Sequence, residues 1–283
     1  MPSDLITRPS GPAGEHTLHL VDGVRFGTFS CPPGDWRWDE PNPVGEEHYL
    51  VFPRRRVLIE PEGGVEVLAT GAHLVTYDAG GVFRRRPLDP AGDWCTFLAL
   101  DPGLLPGPRR SRGMTPVLPP RGYALQAGLV RHLTTALQPG PLADSAVLAL
   151  LDEAVGGAAP RPPDADRHQA LVRDAAVLLS DADWWDRPLS EVAGALGVSA
   201  YHLARVFRSR TGYSLHGYRL QLRLRAALDQ VAERPRDLAG IAADLGFAHH
   251  SHLTRAFRAT FGSVPSRHTP ARLPETLRAL VAA

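Results

Sequence analysis

The sequence predicts an α+β chain: an N-terminal β-barrel or sandwich with a helical pair, then an all-α half of two helix-turn-helix subdomains joined by a linker helix. Three observations predict it. Residues 17–100 hold about seven short β-branched and aromatic runs broken by Gly, Pro and Asp, the punctuation of a small sandwich or barrel. Residues 156–166, GGAAPRPPDAD, have the composition of an interdomain linker. Beyond them, AGALGVSAYHLARVFRSRTG at 193–212 returns as AADLGFAHHSHLTRAFRATFG at 242–262. Ala193, Leu196 and Gly197 recur as Ala242, Leu245 and Gly246; Leu203, Arg205, Phe207, Arg208 and Gly212 recur as Leu253, Arg255, Phe257, Arg258 and Gly262. A frame repeated in register is a structural unit used twice.

The expected strands are TLHLVDGVRFGTFS, EHYLVFP, RVLIE, GVEVLA, HLVTYD, GVFRRR and WCTFLAL, with hairpin turns at 61–64 and 79–81. After Asp101, LLPGPRRSRGMTPVLPPRG ends the strand signals and reads as a crossing loop or strap. Helices follow at 123–137 and 141–155, striped by Leu125, Leu129, Leu133 and Leu137 and by Val147, Leu148, Leu151 and Val155. Such stripes fill a core or dock a second copy of the chain. Past the linker, 167–180 is helical, Ser190 is placed to cap a helix, and 219–233 joins the repeats through Leu220, Leu224, Leu228 and Val231.

Composition bounds the rest. The 283 residues suit two domains, and 43% hydrophobic with 22% charged residues suits folded cores rather than disorder. Net charge is only +1, but from Asp166 onward 16 Arg face 11 acids while the first 165 residues are net acidic, so the basic half is the repeated half. Two cysteines make neither a disulfide framework nor a zinc knuckle, and no signal pattern or membrane span is evident, so a cytoplasmic protein is expected. No catalytic residue, cofactor or metal site is expected; His249, His250 and His252 lack an acidic or thiol partner for a metal.

Each repeat reads as a support helix, a turn at glycine and a reading helix, the form that enters a DNA major groove. Ser199 caps the first reading helix, Leu203, Val206 and Phe207 anchor it, and Arg205 and Arg208 point elsewhere. In the second, Ile241, Ala242, Leu245, Leu253, Ala256 and Phe257 are the anchors. Arginine can donate two hydrogen bonds to guanine, a role given to Arg205 and Arg255. Arg208, Arg258 and the helix starts at Ser190 and Ser199 are assigned to the DNA backbone.

The segments LSEVAGALGVSAYHLARVFRSRTGYSLHGYRLQLRLRAALDQV and DLAGIAADLGFAHHSHLTRAFRATFGSVPSRH resemble the AraC/XylS family of bacterial transcription regulators. The second carries the family signature through Ile241, Ala242, Gly246, Phe247, Ser251, Leu253, Arg255, Phe257, Gly262 and Pro265. The resemblance implies one chain reading two successive major-groove segments, with base contacts at Tyr201, Ala204 and Arg205 and at His250, Ser251 and Arg255. Ala204 departs from a position that is often polar, and His268 from a tyrosine that packs after the final Pro-x-x. More loosely, the first half resembles the cupin-like effector domains of such regulators, though it lacks the metal-binding histidine pattern of enzymatic cupins.

The expected organisation is an arm at 1–16, an effector-sensing and dimerising domain at 17–155, the linker at 156–166, the DNA-binding domain at 167–273 and a tail at 274–283. Trp36, Trp38, Tyr49, Phe52, Tyr77, Phe83 and Trp94 build a core or line a pocket, with Arg54, Arg55, Arg84 or Arg85 engaging an anion. Cys31, His48 and Cys95 form a candidate effector or thiol site, against which stands inert burial of the cysteines. The expected function is sequence-specific transcription regulation answering a small-molecule, metal or redox signal. Its partners are double-stranded promoter DNA, an effector, RNA polymerase if the chain activates, and a second copy in a homodimer. The alternatives are a constitutive DNA-binding protein whose first half only dimerises, and a repair methyltransferase, which needs four cysteines.

Overall fold

A computed structural model describes residues 14–104, 117–135, 140–156 and 166–283. Most of the expected arm, of the proline-rich crossing segment and of the linker lies outside these residues. The strands are β1 (Gly14–Val21), β2 (Val24–Cys31), β3 (Asn42–Pro43), β4 (His48–Pro53), β5 (Val57–Pro61), β6 (Val67–Ala69), β7 (Val75–Tyr77), β8 (Val82–Pro87) and β9 (Asp93–Leu100). The helices are α1 (Pro120–Thr135), α2 (Gly140–Gly156), α3 (Asp166–Leu179), α4 (Leu189–Ala195), α5 (Ala200–Thr211), α6 (Leu215–Glu233), α7 (Leu238–Asp244), α8 (His250–Phe261) and α9 (Leu273–Ala282).

The strands make two sheets, ordered β1-β2-β9-β4-β7 and β3-β8-β5-β6. No ladder closes them into a barrel among the described residues, which corrects the barrel and cupin-like expectation: the first half is an open pair of sheets. The physical reason is visible along β9, where all eight residues of DWCTFLAL are buried. Cys95, Phe97 and Ala99 face the second sheet with Val57, Ile59 and Phe83. Leu98 and Leu100 pack the other way with Leu125, Leu129, Val147 and Leu150 of the helical pair. A sheet covered on both faces is the middle of a layered stack, and it needs no closure. The turn at 79–81 is a crossing between sheets rather than a hairpin, because β7 pairs with β4 and β8 with β5. By contrast β5 and β6 do pair across 61–64, and β1 turns into β2 through Asp22 and Gly23, both at positive φ.

Most described stripe residues of α1 and α2 are covered within the chain; Leu148 is 38% exposed, and Leu137 lies outside the described residues. Beyond the sheet, the two helices meet α6, α8 and α9, where Leu273 and Leu277 press on Gly128. Of residues 274–283, expected as a tail, 274–282 lie in a helix whose last turn is held by Arg121 Nε donating to the Leu280 carbonyl at 2.9 Å.

The two repeats rest on different supports. The first packs Leu203, Phe207 and Tyr218 with Val172 and Ala176 of α3 and with Leu58 and Leu68 from the outer face of the second sheet. In the second, Ile241, Leu253 and Phe257 share a core with α1 and α2.

Candidate nucleic-acid interface and an internal cavity

Both repeats form helix-turn-helix units, α4–α5 and α7–α8, bridged by α6. Gly197 and Gly246 turn the chain at φ +66° and +69°, and Gly212 and Gly262 end the reading helices in the left-handed region. The two copies thus use glycine where an L side chain is strained. Ser199 caps α5 by accepting from the His202 amide at 3.2 Å, and His249 does the same for α8 from His252 at 3.1 Å. Ser190 is not a cap: α4 begins at Leu189 behind Pro188, and Ser190 lies exposed in its first turn. The second support helix has a true cap in Asp237, which accepts from the Gly240 amide at 2.9 Å.

The anchors fall as the spacing predicts: Leu203, Val206 and Phe207, and Leu253 and Phe257, are buried. On the opposite face Tyr201 is 79% exposed, and Arg205, Arg208, His250, Ser251, Arg255 and Arg258 are exposed. Ala204 is half-buried. Arg205, Arg208, Arg255 and Arg258 have no carboxylate partner among the described residues. Arg187, Arg223, Arg234 and Arg267 of the same half each hold one. Unpaired guanidinium groups a helical turn apart on a polar face are able to meet bases and phosphates without first breaking an ion pair. His268 is buried beside Phe257 and Phe261 and bonds Ser263 at 2.8 Å, so it takes a packing position with a polar partner inside the chain.

The structure does not gather Cys31, His48 and Cys95. Cys31 pairs with Asp93 at one end of the first sheet, and His48 pairs with Leu100 at the other. The seven steps from Asp93 to Leu100 span roughly 23 Å. His48 instead receives the Ala79 amide at 3.1 Å. Both cysteines are buried as free thiols; burial pushes Cys31 up to about 12 and Cys95 well above the usual thiol range.

Between the two sheets lies a cavity of about 360 Å³. Of the aromatic residues singled out in the sequence, Trp36, Tyr49, Tyr77 and Phe83 line it, and Phe52 and Trp94 do not. Of the four arginines, only Arg85 lines it, paired with Asp93 at 3.1 Å. Arg55 is turned to the Ala91 carbonyl and Arg84 to that of Asp39.

Arg54 leaves the cavity for the joining helix. Pro53 lines the cavity, and the next residue places its guanidinium 2.6 Å from Asp229 of α6. Asp229 also accepts from Tyr123 at 2.8 Å and from Arg131 at 3.4 Å, both on α1. Arg54 donates to Gln126 at 3.1 Å, and Gln126 to Thr96 of β9 at 2.8 Å. One turn away, the buried Arg225 donates to the carbonyls of Gly71 and Leu118, and Tyr218 lies 3.4 Å from His73. Sequence reading missed this junction. Its one signal is that Arg225 and Asp229 flank Leu224 and Leu228 of a buried stripe.

Comparison with known proteins places residues 192–269 in a helix-turn-helix domain family. The regulatory protein SoxS of Escherichia coli is 33% identical over 101 residues, which cover 35% of this chain and 92% of SoxS. The transcriptional regulator RipA of Corynebacterium diphtheriae is 34% identical over 114 residues, 40% of this chain and 33% of RipA. The transcriptional activator NphR of Rhodococcus is 31% identical over 136 residues, 48% of this chain and 36% of NphR. The chain thus matches about a third of the length of the last two. ToxT of Vibrio cholerae overlaps 90% of this chain and 97% of its own, but at 10% identity and a TM-score of 0.33, which transfers nothing.

Proposed function

The chain belongs to the AraC/XylS family of transcription regulators, and from that premise we propose that residues 167–273 bind promoter DNA while residues 17–155 sense a small molecule. The carrying observation is the pair of exposed, carboxylate-free reading faces on one frame, with Arg205 and Arg208 on one helix and Arg255 and Arg258 on the other. In this reading Tyr201, Arg205, His250, Ser251 and Arg255 contact bases, and Ser190, Ser199, Arg208 and Arg258 contact phosphates.

A single copy carries two readers, so two major-groove segments are addressed without a twin. The effector enters the cavity between the sheets, and Pro53–Arg54 relays its presence to Asp229 on the helix joining the readers. RNA polymerase is the further partner if the bound chain activates.

The test is selection of binding sites from random DNA, followed by fluorescence anisotropy on the selected duplex with and without a metabolite library. Selected sites bound at least a hundredfold better than random DNA, with an affinity that one metabolite moves, are the expected result. Equal binding to both duplexes removes the sequence-reading role. A selected site whose affinity no metabolite moves removes the sensing role.

A further inference from the structure

The cavity between the sheets carries information about what fills it. Its walls are mainly apolar, with Val51, Ile59, Val75, Tyr77, Phe83 and Phe97 among them, and Tyr77 and Phe83 stacked at 4.3 Å. Trp36, 58% exposed, also belongs to the lining. A volume of about 360 Å³ is at the small end for organic-ligand pockets and suits one or two rings.

Four charged residues, two of each sign, reach the lining, and the chain pairs each of them itself. Arg85 lies 3.1 Å from Asp93, both side chains more than nine-tenths buried. Arg37 is held by Asp35 at 2.9 Å. Glu15 is held by Arg25 at 3.2 Å and by the Tyr49 hydroxyl at 3.3 Å. An incoming carboxylate would leave water with no unpaired cation to receive it, beside two carboxylates already in place.

Within the innermost pair two atoms are left over. Arg85 Nε and Asp93 Oδ1 are buried and have no hydrogen-bond partner among the described residues. Neither atom has surface open to the cavity, so the pair offers an incoming charged group no free donor or acceptor.

We propose that the cavity selects an uncharged aromatic compound and rejects the carboxylate of the same shape. The inference rests on the reading of the cavity as the effector site, and it reverses the anion expected from the sequence. The physical cause is that the arginines which suggested an anion are already neutralised by the fold.

The experiment compares 2-naphthamide, 2-naphthol and 2-naphthoate on the full chain at pH 7.5, by calorimetry and thermal shift. Binding of the amide or the naphthol at least tenfold tighter than the naphthoate is expected, and Val75→Phe, checked for folding by circular dichroism, should abolish it. Asp93→Asn leaves the Arg85 cation unbalanced and should raise naphthoate affinity at least tenfold; if that variant does not fold, the wild-type ranking decides alone. Naphthoate binding as tightly as the neutral probes, or no binding of any of the three, overturns the proposal. DNA affinity measured alongside separates the two readings. A preferred naphthoate that alters DNA binding sinks the neutral-ligand proposal and keeps sensing, whereas a bound amide that leaves DNA binding unchanged keeps the proposal and sinks sensing.

Discussion

Arg54 and Asp229 form an ion pair at 2.6 Å between the β-rich half and the helix that joins the two readers, with side chains 7% and 13% exposed. Arg54 also lies over the rings of Trp94 and Tyr123, at 5.7 and 5.0 Å. Removing Asp229 strands the Arg54 charge in a buried junction, which costs about 3–5 kcal/mol, whereas removing Arg54 leaves Asp229 held by Arg131 and Tyr123. In urea denaturation Asp229→Ala should show that loss and Arg54→Ala a smaller one, and the Arg54→Ala/Asp229→Ala double variant should lose less than their sum. Additive losses in the double-mutant cycle, with coupling under about 0.5 kcal/mol, would show that the pair does not join the halves.

Arg255 and Arg258 should separate by their dependence on sequence and salt. Arg255→Ala is expected to weaken the selected site by about 1–3 kcal/mol and relax one base preference. Arg258→Ala should weaken selected and random DNA alike and lower the salt slope of log K by about one. Anisotropy titrations on both duplexes at three salt concentrations check this; an equal loss for Arg255→Ala on both duplexes would assign it to phosphate.

The cysteines are expected to be chemically silent in the native state. Burial pushes the Cys31 thiol up to about 12 and Cys95 well above the usual thiol range, so little thiolate exists at neutral pH. Ellman's reagent at pH 8 should label neither within minutes without denaturant, and Cys31→Ala should leave the effector response intact. Rapid labelling of the folded chain, or a lost response in a folded variant, would restore the thiol-sensor reading.

Acid should loosen the fold through two histidines. Burial, with Arg225 nearby, lowers His73 to about 3, and burial, with Arg131 nearby, lowers His268 to about 4. The unfolded chain takes up these protons near pH 6.5 while the folded chain does not. Their contribution is therefore full above pH 6.5 and declines as pH falls toward 4 and 3. Between pH 6 and 5 stability should drop by up to roughly 2.7 kcal/mol per unit, the limit for two protons. Urea denaturation across this range measures the slope, and His268→Gln should halve it. An unchanged slope in that variant would remove His268 as a source.

The reading units were largely legible because their determinants are local. The spacing of Leu203, Val206 and Phe207 sets one buried face, Gly197 and Gly246 set the turns, and Ser199 sets a helix start. The failures also have local causes. Ser190 looks like a cap because a serine precedes a helical stripe, but Pro188 already occupies the boundary and α4 starts two residues earlier than that cap implies. Arg54 and Arg85 look like anion receptors because nothing nearby in the chain shows their partners.

The sequence alone determined that one frame occurs twice, which residues anchor it and which arginines it leaves outside, since helix periodicity and turn chemistry act over a few residues. Tertiary structure decided which sheet each strand joined, that α9 packs on the helical pair, and that the cavity's charges are already paired. Those outcomes rest on contacts such as that between His73 and Tyr218, 145 positions apart, and no short-range pattern encodes them.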